Sequence, residues 1–484
     1  MNVLTKKLVL ILCVIISVTM TGCMLGPDYS RPQTPASTAD TYVRPASHNQ
    51  DVNDFPDIHR WWMRFGDPVT ADLVKQALEN NYDLKAAAAK VLQAQAVLAE
   101  IRGRQLPEIN YNLNRSRSKT SFNFGGAGRF NNISTTWAQD VTVSYIFDLF
   151  GKLKRAEKAS WADMLAAQTN EWALINSLIA SVINARVQIA TLQNQLDIAH
   201  ADTESRNKTQ QIVERRYSTG LVGPVDVRLA RENLAAAKAA EITIQLTLIK
   251  ARNALDVLLA KPPGSSPILP ATLAQLPNLD PVTIGLPASL LDRRPDVRSA
   301  ELALESSSEK IGVSIAQMYP DLILSAGVGR SADRWRDIWK GETEIYSAIF
   351  RLAQPIFKGG QLKAQVDAAK ARYSELAANY AKTILTAMQE VEDALISEQL
   401  LQERLKYVKV RFEQARAAEN LSIQRYQRGV EGILTVLESE RRRRIAENDL
   451  AILKGRIWTN RVNLFLALGG DWIGPEENSE KQDI

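Results

Sequence analysis

One thiol in this chain stands where its neighbours prescribe a reaction. Cys23 sits in MTGCMLGPDY, just behind an apolar run. Lys6 and Lys7 make a short basic start, and residues 8–18 are apolar or small. Such a run is too short to cross a bilayer, which takes about 20 residues. Basic start, short apolar core and small residues before a cut point describe a secretory signal, here residues 1–22. MTGC resembles the bacterial lipobox, in which the cysteine receives a diacylglycerol on sulfur and an acyl chain on nitrogen. Cys13 lies inside the removed part, so the mature chain has no internal disulfide to form despite its oxidising compartment. Met24 follows where an Asp would retain a lipoprotein at the inner membrane. The expected address is the outer membrane of a Gram-negative bacterium, with Cys23 as lipid anchor.

No other residue set points to catalysis. His48, His59 and His200 are far apart and lack metal-ligand spacing. There is no Walker loop, GxSxG or HExxH, and nothing singles out a catalytic carboxylate pair. The chain is expected to be no enzyme and to hold no metal or cofactor beyond the lipid. A net charge of +5 over 484 residues, with both signs interspersed, gives no nucleic-acid footprint. The exception is the run Arg441, Arg442, Arg443 and Arg444. On a helix it wraps around all faces and is expected to be mostly solvated, or part of a docking face for an acidic partner.

Proline placement shows which elements position these residues. None occurs between Pro107 and Pro224, nor between Pro355 and Pro475. Because proline breaks helix interiors, very long helices fit there. The first gap carries an apolar stripe through Trp161, Leu165, Trp172, Ile175, Ile179, Val182, Ile189 and Leu196, interrupted by Arg186 and Gln193. Its spacing means helices packing side by side. A helix from Lys152 to Ser218 would be roughly 100 Å long.

The chain is also written twice. NNYDLKAAAAK answers to DRRPDVRSAEL at an offset of 213, pairing Asp83 with Asp296 and Pro107 with Pro320. RRYSTGLVGPVDV answers to QRYQRGVEGILTV at an offset of 209, pairing Tyr217 with Tyr426, Gly220 with Gly429 and Gly223 with Gly432. Each copy reads as a ~30-residue helix, a middle region, a long helix, a glycine turn and a final helix. The paired glycines suit a turn needing positive φ, and Pro224 suits a helix's first turn.

The middle regions alternate with period two. Ile109, Tyr111 and Leu113 alternate with asparagines, and Val141, Val143, Tyr145 and Phe147 with Thr142 and Ser144. A loop rich in Gly, Asn and Ser, with Gly125, Gly126 and Gly128, lies between. DLILSAGVG and YSAIFRL repeat the pattern. Segments near ten residues, apolar on one face, fit barrel strands in a membrane. Four strands close no barrel, and open edges do not survive in lipid. The strands must come from several chains: a dimer gives 8, a trimer 12, and only the larger leaves a wide lumen.

Together these features resemble the TolC-type outer-membrane efflux channels, in their NodT-type lipoprotein branch, over nearly the whole chain. The carrying motifs are GCMLGPDYSRP, WWMRFGDP, NYDLKAAAAK, LPASLLDRRPDVRSAE, YPDL and the two glycine turns with VDVRLARENL and LTVLESERR. The resemblance implies a mainly helical fold with a β-barrel part: a homotrimer whose 12-stranded outer-membrane barrel continues into a periplasmic helical barrel. It implies a passive exit duct for drugs or other small toxic compounds. Its partners would be a periplasmic adaptor and an RND-type or ABC-type inner-membrane transporter. A duct for type I protein secretion, or a non-conducting envelope lipoprotein, are the alternatives. The expected parts are a lipidated extended segment 23–68, repeats 69–262 and 287–470 around a linker 263–286, and a tail 471–484.

The resemblance also assigns site residues. Leu434, Glu438 and Arg441 match the family's periplasmic constriction, and their spacing of four and three puts them on one helix face. Three leucines would plug the pore and three glutamates would attract cations. Asp226 and Tyr426 match a latch between neighbouring helices, while Glu431 stands where a latch arginine is expected, leaving Arg425 or Arg428 to substitute. Gly220, Val222, Gly223, Arg428, Gly429 and Gly432, with Arg215, Arg216 and Arg425, are the expected adaptor-docking turns.

Overall fold

A computed structural model describes residues 24–33, 60–123, 129–270 and 293–470. Cys23, the signal segment, the loop glycines Gly125, Gly126 and Gly128, residues 271–292 and the tail 471–484 lie outside the described residues. The elements run α1 (Pro68–Asn80), α2 (Tyr82–Gly103), β1 (Glu108–Asn123), β2 (Arg129–Phe147), α3 (Lys152–Ser218) and α4 (Pro224–Leu258). Then come α5 (Pro295–Ala316), β3 (Asp321–Ala332), β4 (Glu344–Ala353), α6 (Gln361–Gln427) and α7 (Ile433–Ala467). The duplication is visible in helix lengths: α3 and α6 have 67 residues each, α4 and α7 have 35, and α2 and α5 have 22.

Contacts divide the chain into two units, each described by itself. The first comprises Lys90–Ala167, Ser299–Tyr380 and the N-terminal stretch to Pro32. Among the described residues its strands form one antiparallel sheet in the order β1-β2-β3-β4. Ile109 opposes Val143, Tyr145 opposes Leu324, and Leu324 opposes Phe350, so one face is apolar. The other face carries Asn110, Asn112, Thr142 and Ser144, where Asn112 Nδ2 donates to Asp140 at 3.0 Å. β1 and β2, at 16 and 19 residues, outrun the expected length near ten. The loop is shorter than expected because RSRSKTSFN continues β1 after its apolar residues end.

Buried Arg155 organises the N-terminal stretch. Its Nε donates to the carbonyl of Leu25 and its Nη atoms donate to those of Gly26 and Pro27, at 3.1–3.2 Å. The Nη atoms also reach Glu309 at 2.8 Å and Asp28 at 3.0 Å. Five N–H donors are thus all used, which offsets the cost of burying the charge. Gly26, at φ +100°, lies so close to Gly312 that a Cβ would come within 2.6 Å of the Gly312 Cα. Arg31 adds a two-pronged bond to buried Glu301 at 2.6 and 2.9 Å.

The second unit comprises Gln33–Ala89, Gln168–Arg298 and Ala381–Ile484. Its core gathers Trp61, Leu73, Ile179, Val182, Ile189, Leu255, Trp458 and Phe465. The extended reading of 23–68 stops short here. Trp61–Phe65 is a 3-10 turn whose buried Trp61 stacks on Phe465 at 5.4 Å, because so large an aromatic pair is worth burying. The single ~30-residue helix expected next is broken at Asn81. Its Oδ1 accepts from the amides of Asp83 and Leu84 at 2.8 and 3.2 Å, capping α2, and its Nδ2 donates to the Leu258 carbonyl at 2.9 Å. Arg186 and Gln193 do not interrupt the buried stripe but join it. Arg186 is fully buried 3.7 Å from the helix-capping Asp67, and Gln193 donates to the Leu269 carbonyl at 3.1 Å. Burial pulls the Arg186 guanidinium below its ordinary value, against the pull of Asp67. Trp161, in the first unit, is exposed instead, under the Arg102 guanidinium at 5.4 Å.

Arg155→Leu should strand the buried Glu309 carboxylate and cost about 3–5 kcal/mol. It should also open the stretch before residue 33 to proteolysis. Adding Glu309→Leu should recover part of the loss. Denaturant titration of the purified protein in detergent reads both variants, and equal destabilisation of the two would deny the pairing.

Candidate functional site

The expected site residues gather at two helix-to-helix turns in the second unit. α3 ends at Ser218 and α4 begins at Pro224, while α6 ends at Gln427 and α7 begins at Ile433. In both turns the residue after the glycine donates back into the helix, Leu221 to Arg216 O at 2.9 Å and Val430 to Arg425 O at 3.0 Å. Gly220 and Gly429 adopt φ +73° and +79°, the left-handed end that only glycine takes without strain. Gly223 and Gly432 differ from expectation: they are extended N-caps at φ −85° and −82°. Their helices need a β-region cap, so no positive φ arises there.

The turns present Leu221, Val225, Val430 and Arg428 to solvent. Val222, expected on the docking surface, instead packs partly buried against Val213, Val227, Tyr426 and Ile433.

Tyr426 is buried, and Arg216 covers it. The guanidinium stands 4.6 Å above the ring, and Nη1 donates to the Tyr426 carbonyl. Neither Arg425 nor Arg428 substitutes for the expected arginine within this chain: Arg425 lies 3.4 Å from Glu431, and Arg428 is exposed. The pairing of RRY with QRY could have flagged Arg216, since it is the counterpart of Arg425 in the other copy. The Tyr426 hydroxyl is buried without a hydrogen-bond partner among the described residues. Burial raises its pKa, Arg216 opposes and Asp226 adds to the rise.

Leu434, Glu438 and Arg441 do share an accessible face near the start of α7, with Leu434 65% exposed. Glu438 accepts from Arg441 at 2.8 Å and from Arg442 at 2.7 Å. Those bonds hold its carboxyl down to about 2. One carboxylate between two guanidiniums leaves the patch positive, so the expectation of a cation-attracting glutamate loses its basis in this geometry.

The arginine run splits by direction. Arg441 and Arg442 are exposed, but Arg443 is turned inward, contrary to a mostly solvated run. Arg443 lies 2.6 Å from Glu419 and 3.6 Å from Asp202, and also pairs with Glu447. Asp202 in turn holds Arg206 at 3.0 Å and Arg444 at 3.6 Å, and Thr209 donates to buried Glu440 at 2.7 Å. Burial outweighs Arg443 and pushes the Glu419 carboxyl up to about 7, with Glu440, Asp202 and Glu447 adding to the rise. Among the described residues no cluster of His, Cys, Asp or Glu is fit to hold a metal.

Known proteins resemble this chain over most of its length. The family model described as outer membrane efflux protein matches residues 73–261 and 286–470. The toluene efflux pump outer membrane protein TtgF of Pseudomonas putida is 29% identical over 468 residues, 95% of this chain and 96% of that one. The pyoverdine export outer membrane protein OpmQ of Pseudomonas aeruginosa is 30% identical over 435 residues, 89% of this chain and 91% of that one. The structure of the outer-membrane channel OprN matches with a TM-score of 0.79 at 28% identity, covering 93% of this chain and 99% of that one.

The buried cluster carries a pH dependence of definite sign. Glu419 has a raised folded pKa, so its neutral form favours the packed cluster at low pH, and that advantage is lost as pH rises through about 7. Protection factors around Glu419 and Arg443, in which the intrinsic base-catalysed rise is divided out, should therefore fall between pH 6 and 8. Glu419→Gln should flatten the profile. A profile unchanged by that substitution assigns the titration elsewhere.

Proposed function

The chain belongs to the outer membrane efflux protein family and serves as an outer-membrane efflux channel; we propose that it does so as a homotrimeric exit duct. The observation that carries the trimer is the sheet. Its order leaves β1 and β4 as free edges, and a bilayer supplies no groups to satisfy them. Three copies give twelve strands and a water-filled lumen lined by the asparagine and serine face. A periplasmic adaptor would dock on Leu221, Val225, Val430 and Arg428 at six related turns and join the duct to an inner-membrane transporter. Relatives named for toluene efflux and pyoverdine export support small organic compounds as cargo.

The gate follows from the same reading. Leu434 of three chains would form an apolar constriction, with Glu438 held between Arg441 and Arg442 just behind it. The unpartnered Tyr426 hydroxyl and Asp226 would bond across to a neighbouring chain, with Arg216 holding Tyr426 in place. The mature chain would be anchored through acylated Cys23, whose following residues run along the Arg155 clamp.

Native mass measurement in detergent should give three copies, and a monomer or dimer as main species would sink the architecture. In planar bilayers the wild type should conduct little. Leu434→Ala with Glu438→Ala should raise conductance and shift preference toward anions by freeing both arginines, and unchanged traces would reject this gate. Palmitate labelling should mark the wild type and spare Cys23→Ser.

A further inference from the structure

The β1–β2 hairpin changes character along its length on one face only. On the apolar face, apolar rows run from Phe147 and Leu322 to the row that joins Tyr111, Val141, Val328 and Tyr346, and the next row is mixed, with Leu113, Gln139, Arg330 and Glu344. From Phe147 to the mixed row at Gln139 is eight steps of β2, about 27 Å at ~3.4 Å per step. A strand tilt of about 35–45° reduces that to about 20 Å of height, near the ~25 Å apolar band of membrane barrels. The next three rows of this face carry Arg115, Arg117 and Lys119, opposite Trp137, Thr135 and Ile133.

Three observations make this more than a solvated rim. The opposite face of the same rows is uncharged, with Ser116 and Ser118 and a bond between the hydroxyls of Ser118 and Ser134 at 2.8 Å. The bases therefore stand only on the side that meets lipid. Arg115 lies over the Trp137 ring at 5.1 Å, and Trp137 packs on Trp335 at 5.2 Å, an aromatic pair of the kind that marks the membrane interface. Arg115, Arg117 and Lys119 form no ion pair with any described residue, and the one acid on this face of the described strands is Glu344, opposite Arg330.

We propose that Arg115, Arg117 and Lys119 form a lipid-facing ladder that binds the phosphates of outer-leaflet lipopolysaccharide. This rests on the outer-membrane placement of the chain, with its helical part periplasmic and its hairpin ends outward. The occupant follows from depth and charge. The bases begin where the apolar band ends, which is headgroup level, and the headgroup there must be anionic and accessible from the side of the barrel. A guanidinium grips phosphate in two-pronged fashion, and alternate strand residues repeat every ~6.8 Å, so the ladder contacts several phosphates at once.

The test is retention of lipid A by the purified full-length protein, read by native mass spectrometry in detergent. Wild type should keep phosphorylated lipid A, and the triple variant R115S/R117S/K119S should keep it at least about tenfold less. A charge-matched variant that adds S116R, S118R and T120K to the triple, moving all three bases to the lumen face, should not restore retention. Restored retention would overturn the ladder in favour of general charge. Equal retention of dephosphorylated lipid A, or of phosphatidylglycerol, by wild type would overturn the occupant without any variant having to fold. Outer-membrane recovery of each variant is measured in parallel: normal recovery with no lipid A retention by wild type overturns this inference while leaving the channel reading intact.

Discussion

A hydrocarbon bilayer offers no hydrogen bonds, so every strand that enters it must find a neighbour on both sides. Here the sheet order β1-β2-β3-β4 leaves two edges open in each chain. Most other features can be ordered from that constraint. The edges require further copies of the chain, and the proposed trimer makes the apolar face a lipid surface and the asparagine face a wet one.

Helices of 67 residues raise a second problem, since a regular apolar stripe packs nearly as well one turn out of step. Buried charges answer it. Arg155 fits only where three successive carbonyls and Glu309 converge, Arg186 only beside Asp67, and Arg443 only between Glu419, Asp202 and Glu447. A slip would leave each charge buried and unpaired, a far larger loss than any one contact gains. These sites specify alignment more than they add stability.

The large plan was legible in the sequence. α6 starts 209 residues after α3, and α7 209 after α4, matching the offset between RRYSTGLVGPVDV and QRYQRGVEGILTV. What was missed has a common cause. β1 was under-read because its outward face changes from apolar to basic above Leu113, so hydrophobic alternation stops while the pleat continues. Arg186, Arg443 and Gln193 read as interruptions or solvated surface because periodicity treats charge as exposure, whereas their partners come from distant segments. Asn81 and Gly223 were misjudged because local propensity cannot tell a cap from a helix interior or from a left-handed turn. At the tip, Arg216 was placed on a docking surface although it reaches across to the other copy's tyrosine.

The Arg155 clamp also imposes an order on biogenesis. Its ligands come from residues 25–28 and from Glu309, so a stretch made early waits for a partner some 280 residues later. During export this stretch must stay loose until α5, the first helix of the second repeat, has crossed. Only then can Gly26 settle on Gly312 and the guanidinium close over both. Residues 25–28 are therefore locked late although they are made early, and a chain truncated before Glu309 would leave them free for proteases to seize.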